Sequence, residues 1–140
     1  MPMTAPLILI IDDDTDFLAT THDVIQAAGY RVVTVSNPSD ALEAMAREKP
    51  QVVVTDLMMS ALDSGFSLAR QVKQDPRLCD VPVIVVTAVS SRLGFDFTPR
   101  QLSDLVAMHA DAFIEKPFSP SDLLAKIEDL LRRQAGEKAR

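Results

Sequence analysis

The hydrophobic residues of the chain fall into five short runs, and longer stretches with helical spacing separate them. The first run, Leu7 to Ile11, is unbroken, as expected for a strand that is buried on both faces. Between the runs, apolar residues recur every three or four positions, which predicts helices with one buried face. The predicted strands cover residues 7–11, 30–36, 51–56, 81–87 and 112–115.

This regular alternation of strand and helix predicts a single α/β domain, with one doubly wound parallel sheet and helices on both of its faces. The strand order cannot be read from the periodicity. We expect residues 1–6 to be a loose leader, residues 7–131 to form the domain, and residues 132–140 to be a flexible polar tail.

Turn and capping residues mark the ends of the predicted helices. Asp14 is placed to cap the first helix, and Gly29 to follow its last turn. Asn37 followed by Pro38 is an N-cap with proline at the first helical position, and this helix is expected to run to Lys49. Further helices are predicted over residues 66–75, 98–109 and 120–131.

Composition limits the size, location and partners of the protein. With 140 residues, of which 47% are hydrophobic and 24% charged, the chain fits one globular domain with its own core. The net charge of −6 argues against binding nucleic acid through a broad basic surface. The apolar run at the N-terminus is too short to span a membrane, and the single cysteine, Cys79, fits a reducing cytoplasm.

Polar side chains stand at the ends of four predicted strands. They are Asp12 and Asp13 after the first strand, Asp56 at the end of the third, Thr87 at the end of the fourth and Lys116 after the fifth. Because the carboxyl ends of parallel strands share one edge of the sheet, we expect these groups to meet there. Oxygen ligands without His or Cys favour Mg²⁺, and an ammonium and a hydroxyl group suit a phosphoryl group. A carboxylate among them could accept that group as an aspartyl phosphate.

Each of these residues also has an ordinary interpretation. The acids could cap the first helix, Thr87 could be a plain strand residue, and Lys116 could be a solvated surface lysine. Their joint occurrence at successive strand ends is what favours a site. The two histidines, His22 and His109, pair with none of these carboxylates in the sequence, so we interpret both as surface residues.

The segments around these residues resemble the receiver domain of two-component response regulators. Four motifs carry the resemblance in the family's order: Ile11-Asp12-Asp13, Thr55-Asp56-Leu57-Met58-Met59, Val86-Thr87-Ala88 and Lys116-Pro117-Phe118. The resemblance covers residues 7–131 and implies a flavodoxin-like sheet with strand order 2-1-3-4-5.

The resemblance also implies a role for each residue of the predicted site. Asp56 takes the place of the phosphoacceptor, and Asp12 and Asp13 bind Mg²⁺ together with Asp56 and the backbone carbonyl of Met58. Thr87 is the switch hydroxyl, Lys116 contacts the phosphoryl group, and Phe113 is the switch aromatic residue. The implied protein is a cytoplasmic single-domain response regulator, and its only chemistry is its own phosphorylation and dephosphorylation.

A few positions depart from the family's pattern. The family usually has proline where Ser60 stands, the loop from there to Gly65 is one residue longer, and His109 stands where a glycine is usual. The span from Thr87 to Lys116 is also longer, with the excess in residues 90–97. These departures leave the pocket residues intact and bear on the dephosphorylation rate and on partners.

Two other functions compete with this one. A phosphatase of the haloacid dehalogenase type would use Asp12 or Asp14 as its nucleophile, but Asp16 stands where that family has Thr or Val, and a helix begins where it needs an acidic pair. A degenerate receiver that binds partners without phosphorylation would not need the complete pocket.

The expected partners are a histidine kinase or phosphotransfer protein upstream and another protein downstream. The surface predicted to report the switch covers residues 90–131, and a phosphorylation-dependent dimer is one form that its docking could take. Within it, residues 90–97 carry Leu93, Phe95 and Phe97, which either pack on the domain or dock a partner.

Overall fold

The five strands form one parallel sheet, as the sequence predicts. The computed structural model describes residues 5–56, 70–87, 111–115 and 118–138, and the findings below concern these residues. The sheet order is β2-β1-β3-β4-β5, which confirms the flavodoxin-like order. The strands are β1 (Leu7–Ile11), β2 (Arg31–Val35), β3 (Val52–Asp56), β4 (Val83–Thr87) and β5 (Ala112–Glu115).

The helices described over their full length are α1 (Thr15–Ala27), α2 (Pro38–Arg47) and α3 (Pro120–Lys138). Residues 70–74 are also helical. The predicted caps are confirmed. The Asp14 side chain accepts a hydrogen bond from the Phe17 N–H, and Asn37 caps α2 ahead of Pro38. Gly29 follows α1 with a φ of +102°, a conformation that glycine adopts without the steric cost of a Cβ.

The core lies on both faces of the sheet, because successive strand residues point to opposite sides. On one face, Leu9, Ile11 and Val53 pack with Ala41 and Met45 of α2. The other face packs against α1 and α3, and its buried members include Ile8, Ile10, Val52, Leu18, Ile25, Leu123 and Ile127. Every residue of β1 and β3 is buried, so these two strands form the centre of the sheet.

The chain ends differ from the expectation in two places. The last helix was expected to end at Leu131 and to leave a flexible tail, but α3 continues to Lys138. Arg132, Arg133 and Gln134 are good helix formers, and Arg133 pairs with Asp129 one turn earlier at 3.0 Å. In the expected leader, the carbonyl of Ala5 accepts from the Arg31 guanidinium, and that of Pro6 accepts from the Arg31 N–H.

The bounds of three other elements are shorter than predicted. The helix α2 ends at Arg47 rather than Lys49, because Glu48 is already extended, and β4 begins at Val83 rather than Val81. The strand β2 keeps only residues 31–35.

Several predictions fall outside the described residues. They concern the helix over 98–109, residues 90–97, the turn at 63–65, Met58 and Lys116, and also the side chains of Thr87 and Phe113. None of the described helices combines the length and the apolar character that a membrane span requires.

Candidate functional site

The site begins where β1 ends, and three consecutive aspartates there have three different environments. Asp12 is buried, with 1% of its surface exposed, and its Oδ1 accepts a hydrogen bond of 2.9 Å from the Asp14 N–H. Asp13 is exposed. Asp14 caps α1 through a 3.1 Å hydrogen bond from the Phe17 N–H to its Oδ1. The turn after β1 therefore orients Asp12 toward the interior and leaves Asp13 exposed, while the side chain of Asp14 caps α1.

The second part of the site is Asp56, the last residue of β3. Only 8% of its surface is exposed. Because β1 and β3 are parallel neighbours with Ile11 paired to Thr55, the residues that end them emerge side by side at the same edge of the sheet.

The carboxylates of Asp12, Asp13 and Asp56 form a compact cluster. One oxygen from each lies within 4.8 Å of the other two. The sequence predicted this meeting from the strand ends alone, and the structure brings the three side chains together. Three negative charges at this spacing repel one another, and a divalent cation between them removes that repulsion.

The cluster fits Mg²⁺ by its donor set. Mg²⁺ takes six oxygen ligands at about 2.0–2.1 Å, so neighbouring ligands are about 3 Å apart and opposite ligands about 4 Å apart, and oxygens within 4.8 Å would move closer together to bind one ion. His22, the one histidine among the described residues, contacts Asp23 at 3.3 Å instead. The absence of His and Cys from the cluster disfavours zinc and copper.

The strand β4 ends next to this cluster. Asp56 pairs with Val86, so Thr87 follows at the carboxyl end of the neighbouring strand. Thr87 is in turn paired with Glu115, the last residue of β5, and Lys116 comes next in the sequence. The backbone thus places Thr87 at the predicted edge, and Phe113 lies opposite Val85 within β5.

An aromatic pair that the sequence analysis did not assign joins two parts of this edge. Phe17, in the first turn of α1, meets Phe118 edge to face, with ring centroids 5.8 Å apart and planes at 84°. Such a pair adds about 0.5–1.5 kcal/mol to the gain from burial. It attaches the segment after β5 to α1 beside the acids. The only signal in the sequence was an aromatic residue directly after Lys116-Pro117.

The residue-level geometry also bears on the phosphatase alternative. Asp14, one of its two possible nucleophiles, holds the N-terminus of α1 with its side chain. A carboxylate that accepts a backbone N–H in this way is already used for the fold.

Comparison with known proteins gives the same family in each case. A family model for the response regulator receiver domain matches residues 8–128. The transcriptional regulatory protein GltR of Pseudomonas aeruginosa is 36% identical over 126 residues, which are 90% of this chain and 49% of GltR. The phosphate regulon transcriptional regulatory protein PhoB of the same species is 31% identical over 131 residues, covering 94% of this chain and 54% of PhoB. The chain therefore spans about half the length of these curated relatives.

Solved structures agree on the fold. A CheY-like receiver domain protein from Methanospirillum hungatei JF-1 superposes with a TM-score of 0.80 at 26% identity, covering 95% of this chain and 98% of that one. The signal receiver domain of a signal transduction histidine kinase from Syntrophus aciditrophicus gives 0.76 at 27% identity, covering 91% of each chain.

Proposed function

Since the chain belongs to the response regulator receiver domain family of two-component signalling, we propose that Asp56 accepts a phosphoryl group from a histidine kinase or phosphotransfer protein. Members of this family are signalling proteins rather than classical enzymes. The observation that carries the proposal is the cluster of Asp12, Asp13 and Asp56 at the carboxyl edge of the sheet. The family match over residues 8–128 favours this function over the haloacid dehalogenase alternative.

Asp12 and Asp13 are proposed to hold Mg²⁺, with one oxygen of Asp56 and the backbone carbonyl of Met58 as further ligands. Asp12 is suited to this role because the Asp14 N–H helps to fix its orientation and one of its oxygens lies within 4.8 Å of oxygens of Asp13 and Asp56. When bound, the ion neutralises charge on the carboxylates and on the incoming phosphoryl oxygens.

The proposed reaction is a transfer between two side chains. A carboxylate oxygen of Asp56 attacks the phosphorus of a phosphohistidine, and a P–O bond forms as the P–N bond breaks. The departing imidazole nitrogen keeps the electron pair and takes up a proton. Lys116 is proposed to contact the phosphoryl oxygens through its ammonium group, and Thr87 to donate a hydrogen bond to one of them. Hydrolysis of the same acyl phosphate by water resets the protein.

The proposed output is a change of surface. A phosphoryl group on Asp56 would attract the Thr87 hydroxyl, and Phe113 would move into the space that Thr87 leaves. Phosphorylation would thereby favour this conformation over that of the unphosphorylated protein. The surface over residues 90–131 would report this change to a downstream protein or to a second copy. GltR and PhoB are named as transcriptional regulators, but the chain matches only half of each, so a protein partner remains our proposal for the output.

The test uses acetyl phosphate as a small phosphodonor and intact mass as the readout. The wild type should gain one phosphoryl group, stable in acid and labile in base, with Mg²⁺ and not with EDTA. Asp56→Asn should gain none. Asp14→Asn is the matched control, because it changes a neighbouring carboxylate but keeps a good N-cap. Phosphorylation of Asp56→Asn at the wild-type rate would refute the assignment.

A further inference from the structure

The strand β5 has little to fix its register. It has four residues, lies at the edge of the sheet and pairs only with β4. Its register is Ile84 to Ala112 at one end and Thr87 to Glu115 at the other. A slip of one residue moves a strand by about 3.3 Å and turns every side chain to the opposite face. Ile114 is its one described side chain that is buried, so a further constraint on the register is needed.

That constraint lies at the opposite edge of the sheet from the acids, where β4 and β5 begin. Asp111 directly precedes β5, and Val83 is the first residue of β4. The Val83 N–H donates to Asp111 Oδ2 at 2.8 Å, and the Asp111 N–H donates to the Val83 carbonyl at 2.8 Å. These two hydrogen bonds close a ring between the starts of β4 and β5 in the observed register.

A lysine from a third element completes the arrangement. Lys73, in the helical segment 70–74, places its Nζ 2.8 Å from Asp111 Oδ2 and donates to the Val81 carbonyl at 2.7 Å. The Lys73 side chain is 16% exposed and that of Asp111 38%, so the pair is partly shielded from water on the lysine side. We call Lys73, Asp111 and Val83 the register clamp.

We propose that Lys73 and Asp111 are positioning residues: by fixing the register of β5 on β4 they align Lys116 and Thr87 with Asp56. The inference rests on the proposed function. The clamp lies where β4 and β5 begin and acts along the strands, since β4 ends at Thr87 and Lys116 follows β5 in the sequence. Misplacement of a group in a reacting site by 1 Å can lower a rate by up to about 10²-fold.

The sheet topology gives this role a distinctive signature. The three carboxylates stand at the ends of β1 and β3, whereas Thr87 and Lys116 stand at the ends of β4 and β5, the two strands that the hydrogen bonds of the clamp join. Loss of the clamp should therefore slow phosphorylation and leave Mg²⁺ affinity unchanged. A purely structural role would lower the melting temperature and leave the phosphorylation rate of the folded protein unchanged.

The experiment compares Asp111→Ala with Asp111→Asn, well below the melting temperature. Asp111→Ala should slow phosphorylation by acetyl phosphate by at least about tenfold and change the Mg²⁺ dissociation constant by less than about twofold. Asp111→Asn should restore most of the rate, because its amide oxygen can still accept from both the Val83 N–H and Lys73 Nζ. In the metal-free proteins, the β5 amides should exchange hydrogen faster in Asp111→Ala than in the wild type. Asp80→Ala is the matched control, since Asp80 forms a 2.8 Å pair with Lys49 before β4.

Lys73→Met keeps both hydrogen bonds between Asp111 and Val83, and it serves as the test if Asp111→Ala does not fold. It too should slow phosphorylation at unchanged Mg²⁺ affinity. Wild-type rates in Asp111→Ala, or in Lys73→Met where that variant serves, would overturn the inference, as would a parallel loss of rate and Mg²⁺ affinity. If the wild type itself takes up no phosphoryl group, the proposed function fails first, and the inference fails with it.

Discussion

At the scale of single residues, the three aspartates after β1 show how neighbouring identical side chains acquire different environments. Burial and a backbone N–H orient Asp12, exposure leaves Asp13 at the rim, and capping occupies Asp14. Sequence reasoning could place Asp12, Asp13 and Asp56 together because strand ends share an edge. It could not find the hydrogen bond from the Asp14 N–H, which depends on the dihedral angles of one turn.

Asp13→Asn should weaken Mg²⁺ binding and spare the fold. The substitution replaces a carboxylate, the kind of ligand that Mg²⁺ prefers, with a neutral amide. We expect the Mg²⁺ affinity to fall by about tenfold or more, since loss of even a residue that only supports a metal ligand lowers metal affinity by about 10–100-fold. Stability should hold or rise, because repulsion within the cluster drops.

Isothermal titration calorimetry with Mg²⁺ compares Asp13→Asn with a matched control, Asp16→Asn. Asp16→Asn removes the same charge from the first turn of α1, outside the cluster, and should leave the affinity close to that of the wild type. An Asp13→Asn titration that overlays the wild-type curve would contradict the metal role of Asp13.

Thr87→Ala should separate phosphorylation from its consequence. Without the hydroxyl, Asp56 still accepts the phosphoryl group, but nothing draws the end of β4 toward it. Hydrogen exchange of the β5 amides, measured before and after acetyl phosphate, should change in the wild type and in Thr87→Ser and stay unchanged in Thr87→Ala. An equal change of hydrogen exchange in Thr87→Ala would mean that the Thr87 hydroxyl does not couple phosphorylation to the change in β5.

At the scale of elements, side-chain chemistry at the ends decides most of the boundaries. Asp14, Asn37-Pro38 and Gly29 marked the ends of α1 and α2 correctly, because a cap is a local interaction that the sequence encodes directly. The end of α3 was misplaced because the sequence after Leu131 is polar, and the periodicity of apolar residues stops there. Local pairs such as Asp129 with Arg133 extend the helix without that signal.

Asn37→Ala should destabilise the protein by about 1 kcal/mol. The Asn37 side chain accepts the Asp40 N–H at 2.8 Å, and alanine leaves that N–H at the start of α2 without its partner. Urea unfolding measures the change, and Asn37→Ser, which retains a capping oxygen, should stay within a few tenths of a kcal/mol of the wild type. Equal losses in the two variants would show that the cap is not the cause.

At the scale of the whole molecule, the order of the sheet followed from the family resemblance, while the contacts that hold distant segments together did not follow from any local pattern. Arg31 joins three such segments, which contain residues 5, 31 and 48. Its Nε donates to the carbonyl of Ala5, and its two terminal nitrogens donate to Glu48 at 3.1 and 2.5 Å. The residue types at positions 5, 31 and 48 do not predict this contact, because the three residues come together only when β1, β2 and α2 have assembled.

This contact predicts a pH dependence of stability. The hydrogen bond from Arg31 lowers the pKa of Glu48 below its ordinary value of 4.5. A carboxyl group with a lowered pKa in the folded state stabilises the fold above the unfolded-state pKa, and this stabilisation is lost as the pH falls through the folded-state pKa. Urea midpoints of the wild type and Glu48→Gln should therefore differ above pH 4.5 and converge below it.

Glu43→Gln is the control for this pH series, because it removes an exposed i,i+4 pair with Arg47 from the same helix. A gap between the wild type and Glu48→Gln that persists unchanged at acid pH would show that the stabilisation does not come from the ionised carboxylate.

The central claim is that the phosphoryl group is carried by Asp56, and its chemical location tests this most directly. After incubation with acetyl phosphate and Mg²⁺, borohydride reduces an aspartyl phosphate to homoserine, which peptide mass mapping then locates. We predict conversion at Asp56 alone, abolished by EDTA. Conversion at Asp12 or Asp13 with Asp56 unchanged would contradict the account.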